Sequence, residues 1–219
     1  MINKISGTIL YLYSVLVYRT CRFTFHGLDQ IKAYQDLDVP LIISSWHGMT
    51  IMVVGLLRKV LDISRFSAIV PEDHRGDVLA IFAYHLGAEP IKVNLSGDST
   101  FGLGRKLVSL LKKMSAGKSF LIHPDGPAGP AYKVKPGLSF IAQKAGAPIL
   151  PLGCYCRNAY HINRWDRYTL PLPFSKIHIQ LGSLMEIPEE LKDLEEINRE
   201  LEDILNRLTL QASAKYYLD

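Results

Sequence analysis

The chain has 219 residues, 48% of them hydrophobic and 21% charged; this fits one folded domain with a real core and excludes a disordered polyelectrolyte. Its three cysteines, Cys21, Cys154 and Cys156, are too few for a disulfide framework and read as buried free thiols in a reducing compartment. The net charge of +4 is unevenly spread: residues 186–219 hold ten acids against four bases, a net of −6, so residues 1–185 carry +10. A basic body suits an anionic partner such as a phospholipid headgroup or a phosphorylated substrate. The cations are scattered rather than clustered with aromatics, and no nucleic-acid motif is present, so nucleic acid is not an expected partner.

Ile5–Tyr18 is an uncharged run of fourteen residues between Lys4 and Arg19, short of the roughly 20 that a spanning helix needs. No small-residue cleavage site follows, so it does not read as a signal peptide. Tyr11, Tyr13, Tyr18 and the flanking cations suit a helix lying in a membrane interface, here bounded at residues 1–21. The remainder, 22–219, alternates strand and helix. Arg22–His26 reads as a short strand. Leu41–Ser45 reads as a buried strand, followed by a helix over Gly48–Leu61. Phe66–Val70 is a strand stopped by Pro71, and Gly76–Leu86 a helix ended by Gly87. Ile91–Val93, Ser119–His123, Ile149–Cys156 and Lys176–Leu181 are further strands. Gly102–Met114 and Pro136–Ala145 are helices. Pro188–Leu210 reads as a long amphipathic helix with an acidic face and Pro188 in its first turn. This order predicts a single α/β domain with a mostly parallel central sheet flanked by helices.

In such sheets ligands sit beyond the carboxyl ends of the strands. Those ends carry Ser44-Ser45-Trp46-His47-Gly48, then Pro71-Glu72-Asp73-His74-Arg75-Gly76-Asp77. Asn94-Leu95-Ser96-Gly97-Asp98 and His123-Pro124-Asp125-Gly126-Pro127-Ala128-Gly129-Pro130 follow. The last block, rich in glycine and proline, builds a stiff loop headed by Asp125, a carboxylate held either for chemistry or to cap nearby amides. His47, between an apolar strand and a helix, suits a general base, with the helix N-terminus offering amides to an oxyanion; a partly buried histidine on a carbonyl is the plainer alternative. Asp73, His74, Asp77, His85 and His123 lack recognised metal-ligand spacing, and no metal is expected.

Taken in order, these segments resemble the lysophospholipid acyltransferase superfamily, in particular a bacterial branch catalogued as a domain of unknown function and related to the late acyltransferases of lipid A. The resemblance rests on Trp46-His47-Gly48 and the acidic loop containing Arg75-Gly76-Asp77. It continues through the Gly/Ser-rich turn from Ser96 to Gly104, the Pro124–Pro130 block, Lys135-Pro136-Gly137 and the run from Gly146 to Gly153. It covers about residues 8–182. The resemblance implies a glycerol-3-phosphate acyltransferase-like fold acting on the cytoplasmic face of the inner membrane. It implies transfer of a fatty acyl group from acyl-CoA or acyl carrier protein to a hydroxyl of a lysophospholipid or lipid A-type precursor, without a cofactor. His47 would be the base.

Two departures follow. The superfamily's usual acid five residues after the histidine is Met52 here, so the carboxylate paired with His47 must come from elsewhere: Asp125 first, then Asp73 or Asp77. The usual arginine of the second block is absent, with Asn94 near its place. Phosphate binding then falls to Arg75, Arg105, Lys133 or Lys135, with Trp46, Gly48, Asn94, Ser96, Gly126 and Pro127 completing the substrate site. A metal-dependent hydrolase or phosphoesterase, and a non-catalytic lipid-binding protein of the same fold, remain as alternative readings.

Overall fold

The computed structural model of the chain describes residues 2–31, 39–93, 100–191 and 193–218, with backbone alone for 100–107. The elements in chain order are α1 (Ile2–Thr20), β1 (Arg22–His26), β2 (Ile42–Ser44), α2 (Thr50–Lys59), β3 (Phe66–Pro71), α3 (His74–Leu86), β4 (Glu89–Val93) and α4 (Thr100–Ser115). Then come β5 (Ser119–Ile122), α5 (Gly137–Ala145), β6 (Ile149–Tyr155), β7 (Ala159–His161), β8 (Thr169–Pro171), β9 (Lys176–Leu181) and α6 (Glu195–Tyr216).

Seven strands form one sheet in the order β1-β9-β6-β2-β5-β3-β4. Neighbours from β6 to β4 pair in parallel, as do β1 and β9, while β9 runs antiparallel to β6. The sheet is mostly parallel and flanked by helices, as the alternation of elements predicts. Its central strands are buried on both faces: Ile42, Ile43, Ile149, Leu150 and Leu152 are fully inside, which is why they read as continuous apolar runs. The strand β2 lies between β5 and β6. The carboxyl ends of these three parallel strands therefore open onto one edge of the sheet, and the loops that leave them form the site below.

Helix boundaries differ from the sequence reading in informative ways. The last helix begins at Glu195, not Pro188. Residues before it are occupied otherwise: Met185 bridges to Ile149, and the carbonyls of Pro188 and Leu191 accept from the Gln143 amide at 3.0 and 2.7 Å. The helix also runs past Leu210, because Leu201, Leu205, Leu208 and Ala212 keep the buried helical spacing to its end. A two-stranded sheet, β7 with β8, was not foreseen; its three-residue strands are too polar and short to show an alternating pattern. The turn expected from Ser96 to Gly104, like Asn94, falls largely outside the described residues.

The helix α6 lies close over β6. A Cβ built on Gly153 would stand 2.2 Å from the Thr209 amide nitrogen and 2.3 Å from the Leu208 carbonyl carbon, both backbone atoms. Replacing Gly153 by Ala should therefore push the helix off the sheet and cost about 1–3 kcal/mol or more. A lower urea midpoint with an unchanged slope is the expected reading.

Candidate active site

After β2 the chain passes through Ser45 and Trp46 into a single 3-10 turn, His47–Met49, before α2 begins at Thr50. The His47 ring is held from one side. Its Nδ1 lies 2.6 Å from Oδ2 of Asp166, whose side chain is fully buried while that of His47 keeps 26% of its surface exposed. Asp166 comes from the loop of the β7–β8 hairpin, 119 residues further along. Arg164 grips the same carboxylate with two bonds, Nε to Oδ1 at 2.6 Å and Nη2 to Oδ2 at 2.7 Å, the planar fork that guanidinium and carboxylate share. Burial pushes the Asp166 pKa up, but the bonds from Arg164 and His47 outweigh it and hold the carboxyl below its ordinary value. An ionised carboxylate only accepts, so Nδ1 must carry the ring proton of neutral His47 and Nε2 keeps its lone pair. That is the tautomer a general base needs.

The loop that brings Asp166 sits directly on the turn that presents His47. A Cβ added to Gly48 would stand 2.3 Å from the Asp166 carbonyl oxygen. Rings complete the surround, with Trp165, His123 and Tyr168 at centroid distances of 5.3, 5.3 and 6.1 Å from His47. Arg164 in turn lies 5.1 Å over the Tyr168 ring.

Asp125, the first choice for the acid paired with His47, does something else. Its Oδ1 accepts from the His47 backbone N–H at 2.9 Å and its Oδ2 from the Tyr132 N–H at 3.4 Å. It is almost wholly buried, and burial raises its pKa against the lowering effect of those amides. It caps the turn that carries the histidine; the ring itself is served by Asp166. Gly126 brings the same loop against the ring, where a Cβ would stand 3.2 Å from His47 Cδ2. Lys135 ties that loop down by donating to the Gly126 carbonyl at 3.0 Å, and Pro127 lies exposed beside it.

The other expected residues divide. Asp73 caps α3 and binds its own neighbour Arg75, with Nη2 to Oδ2 at 2.5 Å. Asp77 is paired with Lys92 at 2.6 Å and accepts from the Asn3 amide at 3.1 Å. Neither contacts the His47 ring. Arg75 is exposed, its guanidinium held by Asp73. Lys133 instead pairs with Glu202 of α6 at 2.5 Å. Trp46 is buried with its ring edge-on to Tyr132 at 5.6 Å, and its indole N–H has no hydrogen-bond partner among the described residues. Asn94 and Ser96, and the side chain of Arg105, lie outside the described residues. Among the described residues no three His, Cys, Asp or Glu side chains converge as a metal site; His85 stacks on Tyr11 at 5.1 Å.

No known family profile matches the chain. An uncharacterized protein of Rickettsia prowazekii is 25% identical over 202 residues, covering 91% of this chain and 89% of the relative. Among solved structures, the 1-acyl-sn-glycerophosphate acyltransferase PlsC of Thermotoga maritima superposes with a TM-score of 0.59 at 17% identity, over 95% of this chain and 78% of that one. The fold is that of an acyltransferase. The likeness spans nearly the whole chain.

Sequence reasoning missed Asp166 and Arg164. Arg164-Trp165-Asp166-Arg167 is visible as a charged run after the buried strand β6, but nothing in that run points to a partner 119 positions earlier. The charged run begins nine residues beyond the strand end.

Two outcomes test this arrangement. Gly48→Ala should displace the Asp166 loop and reduce any His47-dependent activity about as much as Asp166→Asn, with little loss of secondary structure; wild-type activity in Gly48→Ala would contradict the contact. His123 lies behind the site, its Nδ1–H donating to the Ser45 carbonyl at 2.9 Å and its Nε2 at 3.0 Å from the Thr50 hydroxyl. Burial, and next the charge of His47, push its pKa down to about 3. A histidine depressed on folding binds its proton only in the unfolded chain, so its contribution is complete above about pH 6.5 and is lost as pH falls toward 3. The slope is up to about 1.4 kcal/mol per pH unit. Urea unfolding across that window should show a shallower decline for His123→Gln than for the wild type.

Proposed function

We propose that the protein is a membrane-surface O-acyltransferase that moves a fatty acyl group from acyl-CoA or acyl carrier protein to a hydroxyl of a lysophospholipid or lipid A-type precursor, on the cytoplasmic face of the inner membrane. The observation that carries this reading is the His47–Asp166 pair at 2.6 Å, with the second ring nitrogen left as an acceptor, on the fold of an acyltransferase. In this reading Nε2 takes the proton of the acceptor hydroxyl as its oxygen attacks the thioester carbonyl. Asp166 stabilises the imidazolium that forms and keeps it oriented. The tetrahedral intermediate collapses, the carbon–sulfur bond breaks, and the imidazolium returns its proton to the leaving thiolate. An ester and a free thiol result, with no acyl-enzyme, metal or cofactor required. Arg75, exposed at the start of α3, is a candidate contact for an anionic acceptor or for the phosphates of the donor.

The lipid substrate is supported by α1. Its inner side packs on α3, where Gly7 approaches the Val78 carbonyl and Ile81. Its outer side leaves Ile2, Ile5, Ile9, Leu12 and Leu16 exposed between 45% and 77%, one stripe at helical spacing. No helix among the described residues is long and apolar enough to cross a membrane. An apolar stripe flanked by Lys4 and Arg19 is the pattern of a helix lying in the interface.

Thiol release from acyl-CoA in the presence of lysophosphatidic acid, and separately of a lipid A precursor, tests the chemistry and its acceptor. His47→Ala should lower the rate by about 10²–10⁴-fold, and Asp166→Asn nearly as far by removing the charge that fixes the tautomer. Asp125→Asn keeps an oxygen to accept the His47 N–H and should cost much less. A wild-type rate in His47→Ala would end the proposal, and a larger loss in Asp125→Asn than in Asp166→Asn would return the partner role to Asp125.

A further inference from the structure

The exposed apolar surface does not end with α1. Leu172 and Phe174, between β8 and β9, are 51% and 82% exposed. Phe174 is held at φ 66°, a left-handed backbone that costs an aromatic residue free energy and that the fold does not use to bury the ring. This tip is fastened to α1 and β1 at three points. The Tyr13 hydroxyl donates to the Pro171 carbonyl at 2.8 Å, Cys21 Sγ to the Leu172 carbonyl at 3.3 Å, and the Arg22 N–H to the Ser175 carbonyl at 2.9 Å. The tip is thus moored beside the C-terminal half of α1, the helix that carries the exposed stripe. We propose that Leu172–Phe174 is a second bilayer contact beside α1, and that seating it on an anionic lipid surface holds Asp166 against His47. The idea deepens the membrane-surface reading above and rests on it.

Charge selects the occupant. Residues 2–26 carry Lys4, Arg19 and Arg22 and no acid; residues 157–181 carry Arg157, Arg164, Arg167 and Lys176, and their one acid is the buried, fully engaged Asp166. Apolar side chains set among cations fit anionic headgroups above an acyl layer. They do not fit a second copy of this chain, which would bring like charges together.

The coupling follows from the hairpin's construction. The strands β7 and β8 form a separate sheet with three residue pairs, and a two-stranded ribbon alone is marginal in water. Its loop end carries Arg164 and Asp166, and its opposite end runs into the tip, where the Leu172 N–H and the Ser175 hydroxyl both donate to the Asn158 carbonyl at 2.9 and 2.8 Å. Bracing the tip therefore stabilises the whole hairpin, including the loop that presents the carboxylate.

The full chain and Phe174→Asp would be compared by sedimentation with vesicles of phosphatidylcholine containing about 30% phosphatidylglycerol, with Ile9→Asp as the α1 reference. Phe174→Asp should weaken partitioning about ten-fold or more, and amide exchange across 162–168 should slow on adding vesicles in the wild type and not in this variant. Wild-type partitioning by Phe174→Asp, or exchange at 162–168 indifferent to vesicles, would overturn the proposal. So would a concentration-dependent dimer lost in Phe174→Asp without any change in vesicle binding. Neither measurement needs turnover, so an inactive protein that still shows both effects would count against the acyl-transfer chemistry and leave this inference standing.

Discussion

A buried carboxylate shared between a guanidinium and an imidazole organises this molecule's working edge. Asp166 carries its charge in a setting where an isolated anion would be expensive. It stays ionised because Arg164 and His47 fill its acceptor sites. The same arrangement decides which nitrogen of His47 bears the proton, and so gives an otherwise ordinary histidine a defined direction of reactivity. Remove any one of the three and the remaining two are left with an unbalanced charge or an unfixed tautomer.

Much of the surrounding structure can be understood as what this cluster requires. The three parallel strands β5, β2 and β6 end side by side and deliver the Asp125 loop, the His47 turn and the hairpin to one place. Asp125 fixes the backbone of the turn, Gly48 makes room for the hairpin to close on it, and the rings of Trp165 and Tyr168 shield the contact on its flanks. The hairpin is in turn moored to α1 by Tyr13. Chemistry and surface attachment thus share a short mechanical path through one small element.

The sheet was legible because burial on both faces leaves unbroken apolar runs such as Ile42–Ile43 and Ile149–Leu150, and because the glycines at 87 and 146 stop helices with positive φ. His47 was legible from its place between a buried strand and a helix. Asp166 was not, since nothing in the local sequence links a residue to a partner 119 positions away. Asp125 misled for a physical reason: a buried carboxylate at a rigid strand end serves equally well as an amide cap, and only coordinates separate the two. The start of α6 failed for a related cause, tertiary bonds from Gln143 holding Pro188 and Leu191 out of the helix that their composition suggests.

Met52 shows why the acid paired with His47 does not stand five residues after it. The 3-10 turn after His47 sets the phase of α2 so that the fifth residue along points into the core, where it is 1% exposed. A carboxylate there would be stripped of water with no cation to receive it. The pairing is therefore written in space instead of in spacing. Position 48 and the segment around 166 form a single lock: a side chain at the first would displace the second, and the acid would then have to come from another strand end.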